Sequence, residues 1–117
     1  MIPEDTRFRL LRLLEAEPNL SQRQIAAELG LSLGRANYVL RALIEKGQVK
    51  AGNFRVSRNK LAYAYLLTPS GLEEKARLAS GFLKRKLTEH AALQAEIQAL
   101  QQEMGGAAER EAETDGR

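Results

Sequence analysis

The sequence predicts a mostly helical α+β fold: three short helices, a β-hairpin and one long C-terminal helix. Three observations carry this expectation. Helix caps and glycine stops bracket three short helical stretches before Gly47. Two runs rich in Val, Phe, Tyr and Leu follow, split by a polar turn. A heptad of apolar positions then runs from Leu72 to Met104.

The first helix is expected from Asp5, as N-cap, to about Glu17, where Pro18-Asn19 ends it. Phe8, Leu10, Leu11, Leu13 and Leu14 make it apolar over much of its circumference, so it must be buried on more than one side. The second helix opens on Ser21, which forms a capping box with Gln24, while Leu20 and Ile25 form the matching hydrophobic staple. Ile25, Ala26 and Leu29 give its inner face, and Gly30 supplies a left-handed stop. Ser32 caps the third helix, which runs to Lys46 with Gly47 just beyond. At helical spacing Ala36, Val39, Leu40, Leu43 and Ile44 fall on one side of it. Gly34, Tyr38, Arg41 and Glu45 fall on the other, flanked by Arg35, Asn37 and Ala42.

Residues Gln48–Val56 and Leu61–Leu67 read as strands, joined by the turn Ser57-Arg58-Asn59-Lys60. Tyr63 and Tyr65, at period-two spacing, read as sheet and core residues. Thr68 then caps a helix with Pro69 at its first position. Its heptad positions are Leu72, Ala76, Ala79, Leu83, Lys86, His90, Leu93, Ile97, Leu100 and Met104, with Leu87 a substitute where the repeat weakens. From Ser70 to Met104 such a helix is roughly 50 Å long, more than a small domain covers, so its outer part needs a partner helix. Gly105-Gly106 is expected to end it, leaving a disordered acidic tail. The expected divisions are 1–69, 70–104 and 105–117.

Several functions are poorly supported by these residues. There is no cysteine and a single histidine, which leaves no thiolate metal site, catalytic triad or cysteine nucleophile. No phosphate-binding glycine loop or metalloprotease motif occurs, and Glu73-Glu74 fall in the first turn of the last helix, where the helix dipole accounts for them. The reading is therefore of a non-enzyme without cofactor or metal. The start has no secretory pattern and no stretch approaches membrane-spanning length, so a cytoplasmic location without membrane contact is expected.

Charge points to a partner. The net charge is only +3, yet Ser32 to Lys60 holds seven basic residues against one acid, whereas the chain from Leu72 onward holds seven basic against nine acidic. A polyanion on one face of the fold is one explanation; a solvated basic surface, or an acidic protein partner, is the alternative.

Two short helices meeting at a tight turn, from Ser21 to Val49, are the sequence form of a helix-turn-helix, and the following hairpin has the form of a wing. On that reading the third helix enters the DNA major groove. Ser32, Arg35, Asn37, Tyr38 and Arg41 then lie at or near base edges and flanking phosphates, Ser21, Gln22 and Arg23 offer the second helix to the backbone, and Arg55, Arg58, Asn59 and Lys60 form the wing contacts. The candidate dimerisation residues are Leu83, Leu87, His90, Leu93, Ile97, Leu100 and Met104. A polar His90 in such a seam would bear on alignment and oligomer state.

The segments LSQRQIAAELGLSLGRANYVLRALIEKGQVKAGNF and SRNKLAYAYLLTPSGLEEKARL resemble MarR-type winged-helix transcriptional regulators, and most of all the small exopolysaccharide-associated subgroup. The resemblance implies a bacterial, dimeric regulator of exopolysaccharide synthesis genes that binds double-stranded DNA. It implies the third helix as recognition helix and Arg58 to Lys60 as wing tip. The chain has fewer helices than larger relatives that enclose a ligand between lobes, so no small-molecule ligand is expected.

Overall fold

The computed structural model describes residues 2–115. Its elements run α1 (Glu4–Ala16), α2 (Gln22–Leu29), α3 (Leu33–Glu45), β1 (Val49–Ser57), β2 (Lys60–Leu67) and α4 (Pro69–Asp115). The chain divides into two compact units, one ending at Phe82 and the other beginning at Leu83.

The first unit is built around a single apolar cluster. Phe8, Leu10, Leu11 and Leu14 of α1 meet Ile25 and Leu29 of α2 and Val39, Leu40 and Leu43 of α3. Val49 and Tyr65 come from the hairpin, and Leu78 and Phe82 from α4. Burial of Leu10, Leu11 and Leu14 together, with Leu13 half-buried, matches the broad apolar face of α1. Phe8 and Phe82 pack with ring centroids 4.6 Å apart. The Arg12 guanidinium lies 5.4 and 5.5 Å from the two ring centroids, a cation held against the aromatic pair.

Local signals account for most boundaries. Ser21 and Gln24 complete the capping box, and Gly30 ends α2 in the left-handed region at φ 68°. The Ser32 hydroxyl accepts the Arg35 N–H, and Gly47 follows α3 at φ 76°. The start of α1 differs from expectation: Glu4 is already helical and Pro3 is the cap, with no side-chain hydrogen bond. Proline at this position has its φ preset and needs no donor, so Asp5 falls inside the first turn, where its charge suits the helix dipole.

β1 and β2 form a two-stranded antiparallel sheet, from Val49 opposite Leu67 to Ser57 opposite Lys60, with an irregularity between Arg55 and Ser57. The strands are longer than expected toward the tip and leave only Arg58-Asn59 as the turn. The Arg55 guanidinium donates to the Arg58 carbonyl across it, a tie that sequence spacing does not reveal.

The base of the hairpin is closed by Thr68. Its hydroxyl oxygen accepts the Gly71 N–H, capping α4, while its O–H donates to the Gly47 carbonyl at the end of α3. The Thr68 N–H donates to the Gln48 carbonyl at 3.1 Å. A Cβ at Gly71 would overlap that same Gln48 carbonyl oxygen, so glycine is required by close approach.

Two ion pairs tie α4 to α1: Arg7 to Glu74 at 3.2 Å and Lys75 to Glu15 at 2.8 Å. Glu74 also accepts from Arg77. The expected placement of Glu73-Glu74 in the first turn is corrected, because α4 begins at Pro69 and its first turn holds no acid. Glu74 is instead accounted for by arginines. The Arg77 hydrogen bond holds its carboxyl below the usual value, against the opposing effect of burial, with the charges of Arg77, Arg7 and Lys46 adding to the depression.

In the second unit α4 continues as one helix to Asp115. The glycine pair was expected to stop it, with a disordered tail after; the helix passes through both glycines. Neither takes a positive φ. Each costs about 1 kcal/mol relative to alanine, and they are followed by the helix-favouring run Ala107-Ala108-Glu109-Arg110. The end of the expected tail, residues 116–117, lies outside the described residues. Along this unit Leu83, Leu87, Leu93, Ile97, Leu100 and Met104 are exposed, from 45% for Ile97 to 73% for Met104.

Two outcomes follow for stability. Gly71→Ala should destabilise the fold by about 1–3 kcal/mol or more through overpacking. Gly34→Ala, in open space on α3, should stabilise it by about 0.5–1 kcal/mol. Urea titration checks both. Because folding depresses the Glu74 pKa, its contribution is complete above the unfolded-state value and is lost as pH falls through the folded one. Glu74→Gln should therefore cost about 1–2 kcal/mol at pH 7 and flatten the acid limb of the stability profile below about pH 5.

Candidate nucleic-acid interface

The outer side of α3 is set by its caps and its inner face. With Ala36, Val39, Leu40 and Leu43 buried, helical geometry turns Gly34, Tyr38, Arg41 and Glu45 to solvent, and all four are exposed. Asn37, Tyr38, Arg41, Ala42 and Glu45 line a shallow concavity of ≈ 320 Å³. Arg35 and Asn37, on the flanks, are half-buried. The Arg35 guanidinium carbon sits 5.2 Å from the Tyr38 ring centroid, so one turn of helix stacks its cation on its aromatic ring.

The expected contact residues are not equivalent. Ser21 and Ser32 are exposed, but each hydroxyl accepts a backbone N–H of its own helix, from Gln24 at 3.2 Å and from Arg35 at 3.1 Å. Arg23 is exposed at the start of α2. Gln22 is half-buried and bonded at both ends of its amide: Oε1 accepts from Asn37 Nδ2 at 3.1 Å, and Nε2 donates to the Tyr65 hydroxyl at 3.3 Å. Arg55, Arg58, Asn59 and Lys60 are all exposed on the hairpin, with Arg55 also bracing its turn.

Tyr63 and Tyr65 separate. Tyr65 is buried in the core, and its N–H donates to the Pro18 carbonyl at 2.9 Å. Tyr63 is 55% exposed and stands edge-on to Tyr65 at 5.5 Å. The polar role of Tyr65 was invisible in sequence, since its partner Gln22 lies 43 residues away. Likewise no local pattern announces Arg7 with Glu74, 67 residues apart.

In the second unit every expected dimerisation residue, His90 included, is exposed. Among the described residues no cluster of His, Asp or Glu could hold a metal ion, and no helix is long and apolar enough to cross a membrane.

Residues 3–50 match the winged helix-turn-helix DNA-binding family. No curated relative matches the chain in sequence. Among solved structures it is similar to the PcaV transcriptional regulator of Streptomyces coelicolor in complex with its natural ligand. That likeness has 26% identity and TM-score 0.62, covering 80% of this chain and 65% of that one. It is similar in fold to Lactococcus lactis ZitR in complex with DNA, at 19% identity and TM-score 0.58, covering 80% and 60% of the two chains. The MarR family protein Rv2887 of Mycobacterium tuberculosis, in complex with p-aminosalicylic acid, gives 23% identity and TM-score 0.61, covering 86% and 77%. The chain thus spans about two thirds or less of the length of the PcaV and ZitR structures. The helix-turn-helix, the hairpin that follows it and the long last helix give this chain a winged helix-turn-helix fold similar to that of the MarR family structure from Mycobacterium tuberculosis.

Proposed function

We propose that the chain is a DNA-binding transcriptional regulator that acts as a homodimer. The carrying observation is the outer side of α3, where Tyr38 and Arg41 stand exposed beside the stacked Arg35. The match of residues 3–50 to a DNA-binding family supports that reading, and so do DNA complexes solved for proteins of the same fold from Lactococcus lactis and Staphylococcus aureus. α3 is the proposed recognition helix. Arg35 and Arg41 have the forked geometry that grips guanine, and Arg23, Arg58, Asn59 and Lys60 are the proposed backbone and wing contacts. The N-cap hydroxyls of Ser21 and Ser32 hold the helix ends whose amides would meet phosphate. These comparisons favour DNA over an acidic protein as the partner of the basic surface.

The second copy is proposed to pair along α4. An exposed row of Leu, Ile and Met at 3- and 4-residue spacing is the pattern of a helix-helix seam, and Leu93, Ile97, Leu100 and Met104 are its most regular part. The exopolysaccharide target rests on the sequence resemblance alone, and no effector is part of the proposal. A two-fold dimer would read a pseudo-palindrome with half-sites ~34–36 Å apart or a multiple of that.

Two measurements check this. Binding to DNA upstream of the protein's own gene should resist random competitor and weaken steeply with salt. Arg41→Ala should cost about 1–3 kcal/mol on the specific site and relax discrimination at one base pair; equal loss on random DNA would make it a phosphate contact. For the dimer, Ile97→Asp should raise the dissociation constant at least about a hundredfold in sedimentation equilibrium, since two buried isoleucines are lost. A wild-type chain that sediments as a monomer would overturn the pairing.

A further inference from the structure

Asn37 has the side chain and the helix position of an adenine reader, yet its surroundings differ from those of its neighbours. Tyr38 and Arg41 are exposed, whereas Asn37 is half-buried with its amide nitrogen donating to Gln22. Gln22 in turn donates to the Tyr65 hydroxyl. Tyr65 is anchored twice, by burial of its ring and by its N–H on the Pro18 carbonyl. The result is a continuous polar chain from the first half of α3, through the first residue of α2, to the second strand of the wing. Gln22 has both ends of its amide engaged, so it cannot turn to a base or phosphate without breaking a link.

This arrangement links α3 to β2 through side chains, apart from the backbone junction at Thr68. The hairpin is only two strands, each with one pairing partner. A base-reading side chain must be held to within about 0.5 Å to discriminate. Resting on the DNA-reading proposal above, we propose that Asn37 and Gln22 are positioning residues: with Tyr65 they form a strut that fixes the recognition helix against the wing. Base reading then falls to Arg35, steadied by the Tyr38 ring, and to Arg41.

The test uses the full chain and a duplex enriched by it from a random pool, together with all single-base variants of that duplex. The proteins are wild type, Asn37→Ala, Gln22→Ala, Tyr65→Phe, the Asn37→Ala/Tyr65→Phe double variant and Arg41→Ala, each also followed by thermal unfolding. Cutting the strut at any link should weaken binding by about three- to tenfold, evenly across the single-base variants. The double variant should bind no worse than its weaker parent, because one break already disconnects the strut. Arg41→Ala should instead flatten discrimination at one base pair.

If Asn37→Ala erases preference at a single base pair while Tyr65→Phe and Gln22→Ala bind as wild type, Asn37 is a reader and the strut is overturned. Lowered melting temperatures with unchanged affinity of the folded proteins would also overturn it, leaving only a stabilising contact. Should no duplex be enriched, or wild type and Arg41→Ala bind all duplexes alike, the DNA-reading proposal falls and the strut with it.

Discussion

The hydroxyl of Thr68 sits where three pieces of the fold must meet. It caps α4 through the Gly71 N–H and donates to the Gly47 carbonyl at the end of α3, while the Thr68 N–H takes the Gln48 carbonyl. A helix end leaves carbonyls without partners and a helix start leaves amides without partners. Here Thr68 serves the amide deficit at the start of α4 and also takes the Gly47 carbonyl just past α3, at the open end of the hairpin beside the Val49–Leu67 pair. The start of the hairpin, the departure of α4 and the turn just past α3 are thereby held together. The cost is a backbone approach so close that no side chain fits at Gly71.

Around that junction polar groups divide between holding the fold and facing outward. The N-cap serines, Gln22, Asn37 and Arg55 carry hydrogen bonds within the chain. Arg23, Tyr38, Arg41, Arg58, Asn59 and Lys60 stand in solvent. A basic segment therefore does not translate residue for residue into contacts. Arg7 makes the same point inside the fold: it is cationic, mostly buried and paired with Glu74 across two helices. Removing one partner of such a pair leaves the other charge poorly solvated, whereas the exposed Arg77–Glu74 link adds little by itself.

Much of the architecture was legible in the chain because its signals are local. The Ser21–Gln24 box, the left-handed glycines at 30 and 47, and the Thr68-Pro69 start each depend on residues within one turn. Burial along α3 followed from period alone, since only one face can meet the core. Three readings went astray. Pro3 displaced Asp5 as the cap of α1, and Glu73-Glu74 lie just past the first turn of an α4 that starts at Pro69 as expected. The alanine-rich, charged run after Gly106 carried the helix on through two glycines.

By itself, then, the sequence determined the order of elements, the caps and stops of α2 and α3, the Thr68 cap of α4, the inner and outer faces of α3, and the apolar row on α4. All of these rest on interactions between residues a few positions apart, whose geometry the helix and strand repeats already prescribe. Only the tertiary structure decided which polar side chains are engaged: Gln22 reaching Tyr65 across 43 residues, Arg7 reaching Glu74 across 67, and Gly71 against the Gln48 carbonyl. Such contacts depend on how separate elements pack, and hydrogen bonds are short enough that a small shift in that packing changes the partner. That is why α3 and its outer face can be located from sequence, while the side chains that hold it in place appear only once the chain is folded.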